Sequence, residues 1–395
     1  MGKFNVVVLF GGRSTEHEIS IISATQVLNA LNKEKYNVIP LYISKKGEWV
    51  KGDTSFFKAE TFKNLEKAVE KKKFQFIAPS PEINYLVDKP GSYNFLKGVV
   101  KEKIDIVLPI FHGRFGEDGS VQGLFEFAGL AYAGCNVQAS AIGMDKMVSK
   151  RVAQAIGVPV LPGNWIGKVE WAKSRSKSLD MVMKGLKYPV FVKPVHLGSS
   201  IGVTRASNKK ELENALEVGF YYDTKVLVEQ GLVNAMEVNI SLLGNNPYEF
   251  SATEKPVASS EVLSFEDKYI SKDDKPSKGM ATLKRIIPAP IKKTTEDKIK
   301  EYADRFFAEI GGEGIVRMDF LLTKDEKHIY LNEINTMPGS LAFYLWEKTG
   351  VTFSKLLDKL IDLGLARKDE EKKLNYTFKS NVLGGYRGGV KGKKF

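Results

Sequence analysis

The chain has 395 residues, 43% hydrophobic and 27% charged, which describes an ordinary soluble globular protein with room for two or three domains. No apolar run is long enough to cross a bilayer or form a signal-peptide core, the single Cys135 excludes an internal disulfide, and the four histidines lack zinc spacing, so a cytoplasmic protein without a membrane partner is expected. The net charge of +12 invites a nucleic acid, but no recognisable module accompanies the basic stretches at 62–74 and after Arg387. A solvated helix face and a solubilising tail account for them, and no specific nucleic acid is expected.

Phe4–Phe10 is a short apolar run suited to a buried parallel strand. Gly11-Gly12 turns the chain into a helix over Glu16–Asn32, for which Thr15 and Glu18 form a capping box. A strand, a glycine turn and a helix make a doubly wound unit, whose ligands sit at strand ends, although the GxGxxG fingerprint is absent. Glu16 in the first helical turn either compensates the helix dipole or receives an amine, since it would repel a phosphate. Tyr36–Ile43 reads as the second strand, residues 45–100 as a lysine-rich elaboration, and Ile104–Phe111 as another buried strand. His112 at that strand's end is either a structural or a site residue; Ser120–Ala128 follows as a helix.

Ser140–Ile156 has helical spacing and carries Asp145-Lys146. Tyr188–Pro194 is a strand leading into the glycine-rich stretch 196–202, with Lys193 just before it. Such a loop either cradles a phosphate on its N–H groups or is a plain hairpin turn. Val226–Glu229 and Glu237–Leu243 are strands whose edge could offer backbone groups to a base and Glu229 and Glu237 to a ribose. Ser264–Arg285 is poor in apolar residues and reads as a surface loop or lid, with Lys268 and Tyr269 its candidate contacts. Thr294–Ile310 is an amphipathic helix, and Phe353–Leu363 is the last helix with clear periodicity. The tail beyond Arg367 is basic and glycine-rich, with a possible strand at Tyr376–Leu383.

The most informative stretch is Gly314–Ser340. Arg317-Met-Asp319-Phe alternates as a half-buried strand, 324–328 is turn-like, and Ile329–Asn335 is the returning strand. A register centred on Glu326 pairs Asp319 with Glu333 and Arg317 with Asn335, which places all four on one face. Paired carboxylates repel unless a cation lies between them, and oxygen ligands beside a guanidinium suit Mg²⁺ and a phosphoryl group in transfer. A solvent-facing hairpin with cross-strand ion pairs would carry the same residues.

Seven segments, GGRSTEHEIS, FHGRFGEDGSVQG, GMDK, VKPVHLGSSIGV, FEDKYIS, GIVRMDF and NEINTMPGS, resemble in that order the D-alanine–D-alanine ligases of the ATP-grasp superfamily. The likeness runs from about Phe4 to about Asp362, with gaps in 45–100. It implies an α/β, three-domain ATP-grasp architecture: an N-terminal Rossmann-like substrate domain (1–140), a central domain (141–232), a metal-binding catalytic domain (233–365), and a basic tail (366–395). The implied activity joins two D-alanines through an acyl phosphate at the expense of ATP with two Mg²⁺ or Mn²⁺, for peptidoglycan precursors, in a cytoplasmic homodimer.

By similarity Lys146, Lys193 and Lys268 contact the ATP phosphates, Glu229 and Glu237 bind the adenine and ribose side, and Asp319, Glu333 and Asn335 hold the metal ions. Arg317 and the Gly339 N–H match the family's oxyanion stabilisers. Glu16 holds the first ammonium with His112 nearby, and Ser199 and Tyr269 bond that glutamate and close the lid. Ser340 and Leu341 match the residues that receive the second substrate's carboxylate. Here, however, Pro338-Gly339 runs directly into Ser340-Leu341, a loop shorter than in many members, with Tyr344 as a neighbour. Tyr269 and a histidine-free lid favour an amine over a hydroxy acid but do not separate D-alanine from D-serine. The rival readings are a ligase with another second D-amino acid, a nucleotide sensor without turnover, and a nucleic-acid-binding protein using its basic tail.

Overall fold

The computed structural model describes residues 2–64, 69, 73–88, 102–257 and 285–380. The apolar run after Asn5 becomes β1 (Phe4–Gly11), fully buried from Val6 to Phe10, as a strand covered on both faces must be. α1 (His17–Ala30) carries the chain to β2 (Tyr36–Ile43), parallel to β1. β3 (Trp49–Lys51), β4 (Lys73–Ile77), β5 (Tyr85–Asp88) and β6 (Glu102–Lys103) extend the sheet antiparallel beyond β2. β7 (Ile106–Ile110) closes its other side parallel to β1, giving the order β6-β5-β4-β3-β2-β1-β7, and α2 (Ser120–Phe127) follows.

α3 (Val137–Met144) and α4 (Lys146–Ala155) lead to a second, antiparallel sheet of β8 (Gly163–Gly167), β9 (Val190–Pro194), β10 (Thr204–Ala206) and β11 (Lys225–Gln230), in the order β10-β9-β11-β8. α5 (Lys209–Tyr222) packs its apolar face on that sheet around Val190, Val192 and Phe220. The third sheet starts with β12 (Met236–Gly244) and β13 (Glu249–Phe250); β14 (Lys255–Pro256) and β15 (Arg285–Ile286) make a small separate ribbon. After α6 (Lys293–Glu309) come β16 (Gly314–Leu322) and β17 (Ile329–Asn335), completing the order β13-β12-β16-β17. α7 (Phe353–Glu371) returns to the first sheet. Leu356, Leu357, Leu360 and Ile361 share one core with β1, and Met337 and Leu341 join it. That shared core brings the turn after β17 against α1.

Several local expectations are corrected. No Thr15–Glu18 capping box forms: Glu16 is the N-cap residue without a side-chain cap, Ser14 Oγ accepts the Glu16 N–H at 3.1 Å, and Glu18 faces Lys45 at 3.0 Å. The helix expected over 140–156 is two, broken at Asp145, whose carboxylate caps α4 by accepting from the N–H groups of Met147 and Val148, both at 2.9 Å. The stretch 62–74 is no continuous helix. Phe62 lies buried in the 3₁₀ turn Ala59–Lys63, and Phe74 pairs with Val50 in the sheet.

α7 runs past Leu363 and through the start of the expected tail, because Arg367 is buried beneath it. Its guanidinium donates to the carbonyls of Tyr132 (2.7 Å) and Gly134 (3.0 Å) and pairs with Glu313 at 3.3 Å. Residues 376–380 form no strand, and the rest of that expected strand lies outside the described residues. Cys135 is free and buried in the apolar core beneath the third sheet. Among the described residues, no helix is long and apolar enough to cross a membrane.

Candidate active site

The hairpin forms in the expected register where it matters: Arg317 lies opposite Asn335 and Asp319 opposite Glu333. The register then slips, since Phe320 pairs with Leu331, leaving Asn332 as the extra residue of a β-bulge. In a regular strand, neighbours 332 and 333 would point to opposite faces. The bulge lets both line one cleft of about 790 Å³, together with Asp319, Lys146, Lys193, Glu229 and Glu237. The apolar side chains of Phe191, Met236 and Leu321 share its wall, which suits a flat heterocycle beside a charged tail.

Charge is closely matched inside this cleft. Arg317 holds Asp319 in a bidentate pair, Nε and Nη2 each 2.7 Å from a carboxylate oxygen, and Asn335 Nδ2 donates to the same carboxylate at 3.1 Å. Lys146 lies 3.0 Å from Glu333 and donates to the Leu197 carbonyl at 2.5 Å. Lys193 donates to Glu229 at 2.5 Å and to Asn332 Oδ1 at 3.1 Å, and Lys150 contacts the other oxygen of Glu229. Burial would raise the Glu229 carboxyl, but Lys150 and Lys193 outweigh it and hold it below its ordinary value. Among the described residues, no three acidic, histidine or cysteine side chains gather as a metal cluster. The donors here are two carboxylates and one amide. That small set of hard oxygens fits Mg²⁺ or Mn²⁺ sharing its shell with phosphate and water.

A second group of residues meets at α1. Ser199 Oγ donates to Glu16, which is buried. Gly113 must be glycine: its φ is +75°, and a Cβ there would lie 2.6 Å from Ser14 Oγ and 2.8 Å from Glu16 Oε2. His112 Nε2 lies 2.9 Å from Ser23 Oγ, which accepts the Ser340 N–H at 3.1 Å. Burial pushes the His112 imidazole down to about 4, a Met337 backbone bond opposes this and the Arg317 charge adds to it, so the ring is neutral. Ser340, Leu341 and Ala342 take successive φ values of 51°, 54° and 49°, a left-handed turn that non-glycine residues rarely adopt. The Leu341 N–H bonds the Pro338 carbonyl at 2.7 Å, and Gly339 begins the turn.

The structure thus gathers Lys146, Lys193, Glu229, Glu237, Asp319 and Glu333 in one cleft, with Arg317 and Asn335 tied to Asp319. It places Glu16, Ser199, His112 and Ser340 around α1. Lys146, bonded to the carbonyl of Leu197 two residues before Ser199, links the groups. Lys268 and Tyr269 lie outside the described residues. Sequence reasoning missed Lys150, Asn332, Ser23 and Glu117. Glu117 accepts from the N–H groups of Gly113 (2.6 Å) and Met337 (3.2 Å), fastening the loop after β7 to the turn after β17. Lys150 stands four residues after Lys146 on one helix face, which could have found it. A bulge leaves no such signal in a single sequence.

The chain is similar to proteins of a known family along most of its length. The family description "D-ala D-ala ligase N-terminus" matches residues 5–135, and "D-ala D-ala ligase C-terminus" matches 152–362. A D-alanine–D-alanine ligase of Thermosipho melanesiensis is 40% identical over 368 residues, 93% of this chain and 95% of its own. Among solved structures, the D-alanine–D-alanine ligase of Coxiella burnetii superposes with a TM-score of 0.77 at 28% identity, covering 94% of this chain and 97% of its own. The D-Ala:D-Ser ligase VanG of Enterococcus faecalis gives 0.76 at 29% identity, covering 92% and 100%.

Proposed function

Because the chain belongs to the D-alanine–D-alanine ligase family, we propose that it joins two D-alanines to D-alanyl-D-alanine for peptidoglycan precursors, driven by conversion of ATP to ADP and phosphate through phosphoryl transfer to the first substrate. It is an ATP-grasp ligase with an N-terminal doubly wound domain. A carboxylate oxygen of the first D-alanine attacks the γ-phosphorus and ADP leaves, forming an acyl phosphate. The amine of the second attacks the acyl carbon, passes through a tetrahedral intermediate, loses a proton and expels phosphate. Both steps spread negative charge over oxygens, so fixed cations do most of the catalysis.

In this reading Lys146 and Lys193 bind phosphate oxygens, Glu229 and Glu237 receive the nucleoside, and Glu16, braced by Ser199, holds the first ammonium beside His112. Arg317 and the Gly339 N–H stabilise the oxyanion, and the Ser340–Leu341 turn receives the second substrate. Asp319, Glu333 and Asn335 would hold the divalent ions, which neutralise charge on the transferring phosphoryl group. The parts the resemblance gives Lys268 and Tyr269 fall outside the described residues. The reading divides the chain near residues 140 and 232, takes the protein as a cytoplasmic homodimer, and assigns the tail no part in the chemistry.

The observation that carries this proposal is the facing pair Asp319–Glu333 in one cleft, with Lys146 beside Glu333 and Arg317 paired to Asp319. Phosphate release from ATP and Mg²⁺ across a panel of D- and L-amino acids, with product mass, tests it. Release should require D-alanine and yield the dipeptide. Turnover with no D-amino acid would defeat the assignment. Because the turn before Leu341 is short and a D-Ala:D-Ser ligase is a structural neighbour, D-serine as second substrate is an arm of the same panel.

A further inference from the structure

Between β9 and β10 the chain must hold Ser199 and Ser200 at φ 54° and 59°, a left-handed conformation that neither serine favours. Something outside the loop has to keep it there. His196, at the loop's start, is the residue built for this. Its backbone N–H donates to Asp223 Oδ2 at 2.7 Å, and its Nδ1 lies 3.0 Å from the same oxygen. On the ring's other edge, Nε2 lies 3.4 Å from Asp145 Oδ2. Asp223 ends α5, and Asp145 caps α4 immediately before Lys146.

We propose that His196 is a positioning residue for the ligase reaction: bridging Asp145 and Asp223, it locks the loop 197–200 onto the start of α4, so that Ser199 meets Glu16 and Lys146 faces the cleft. The inference rests on the roles assigned above to Ser199 and Lys146.

Charge around the ring supports it. The groups facing His196 are Asp145 from the start of α4, Asp223 from the end of α5, and Lys225 from β11, whose Nζ is 3.0 Å from Asp145. Two carboxylates and one lysine leave one negative charge, which a protonated imidazole balances. Hydrogen bonds that the ring donates to Asp145 and then Asp223 push the His196 imidazole up to about 9, against burial, so the ring is cationic at neutral pH. A neutral ring keeps only one N–H, so losing the charge would give up the donor to either Asp223 or Asp145 and unfasten one end of the bridge. The Lys146–Leu197 bond runs parallel to the His196–Asp145 contact, so the two ties hold the same junction.

Three variants of the full-length enzyme and one titration test this. At pH 7.5, His196→Gln should raise KM for ATP and for the first D-alanine by about fivefold or more, while the melting temperature falls by no more than about 3 °C. His196→Arg, which keeps a cation between the carboxylates, should recover at least about half of the lost kcat/KM. Asp223→Asn should behave as His196→Gln does.

In the ¹⁵N-histidine-labelled wild type, the His196 ring signal should remain that of an imidazolium beyond pH 8. His196→Gln constants within about twofold of wild type, or equal losses in His196→Gln and His196→Arg, overturn the positioning role. A wild-type ring that titrates near 6.5 overturns the charged bridge even if the variants fail to fold. A wild type without any D-alanine turnover would instead defeat the functional reading, and the ring titration would still report on the bridge.

Discussion

Asp319 and Arg317 form a buried bidentate pair, and this changes how the metal-site assignment must be tested. Asp319→Ala would strand a guanidinium away from water and cost about 3–5 kcal/mol of stability, so lost activity would be ambiguous. Asp319→Asn keeps the volume but exchanges one accepting oxygen for a donor and leaves the Arg317 charge unbalanced, whereas Glu333→Gln keeps the volume without touching that pair. Each should lower kcat by about 10²–10³-fold, measured by phosphate release, with the larger fall in melting temperature in Asp319→Asn. A near-normal rate in either would remove the hairpin from the chemistry. His112 yields a pH prediction. Its folded-state value near 4 lies below the ordinary 6.5, so folding is penalised progressively as pH falls through that window. The penalty reaches about 2 kcal/mol at pH 5, and thermal denaturation of His112→Asn should show a smaller loss between pH 7 and pH 5 than the wild type.

At the scale of elements, hydrophobic period located strands and helices well wherever burial alone selected the residues. β1, β2 and β12 lie within a residue or so of their apolar runs. It stopped short where a charged residue is buried. α7 continues to Glu371 because Arg367 finds three acceptors from distant segments, and a charged residue reads as solvent-facing when only spacing is considered. Arg367→Ala should therefore destabilise the protein by about 2–3 kcal/mol in a denaturant titration, while kcat stays near the wild-type value. A change below about 0.5 kcal/mol would mean the guanidinium carries no weight in holding α7.

Over the whole molecule, the candidate site is assembled from segments near residues 16, 112, 146, 193–199, 229–237 and 317–340, drawn from all three sheets and α1. None of these segments lies in the basic tail. Truncation after Ser380 should leave kcat/KM within about twofold of the full chain and remove any salt-sensitive retention on nucleic acid. A loss above about tenfold would make the tail part of the working enzyme. Sedimentation of the full chain checks the expected homodimer; a monomeric mass at working concentration would exclude it.

Sequence alone determined what depends on near neighbours along the chain. Alternation in β16 and β17, with a turn between them, sets which residues face each other, so the pairing of Asp319 with Glu333 is legible in the sequence. Tertiary structure alone decided which partners meet after folding: Arg317 paired with Asp319 out of water, Asn332 turned into the cleft by a bulge, Ser23 joining His112 to Ser340, and His196 between Asp145 and Asp223. The physical reason is that a side chain's charge state and partner are set by whatever surrounds it after folding, and periodicity carries no information about that surrounding.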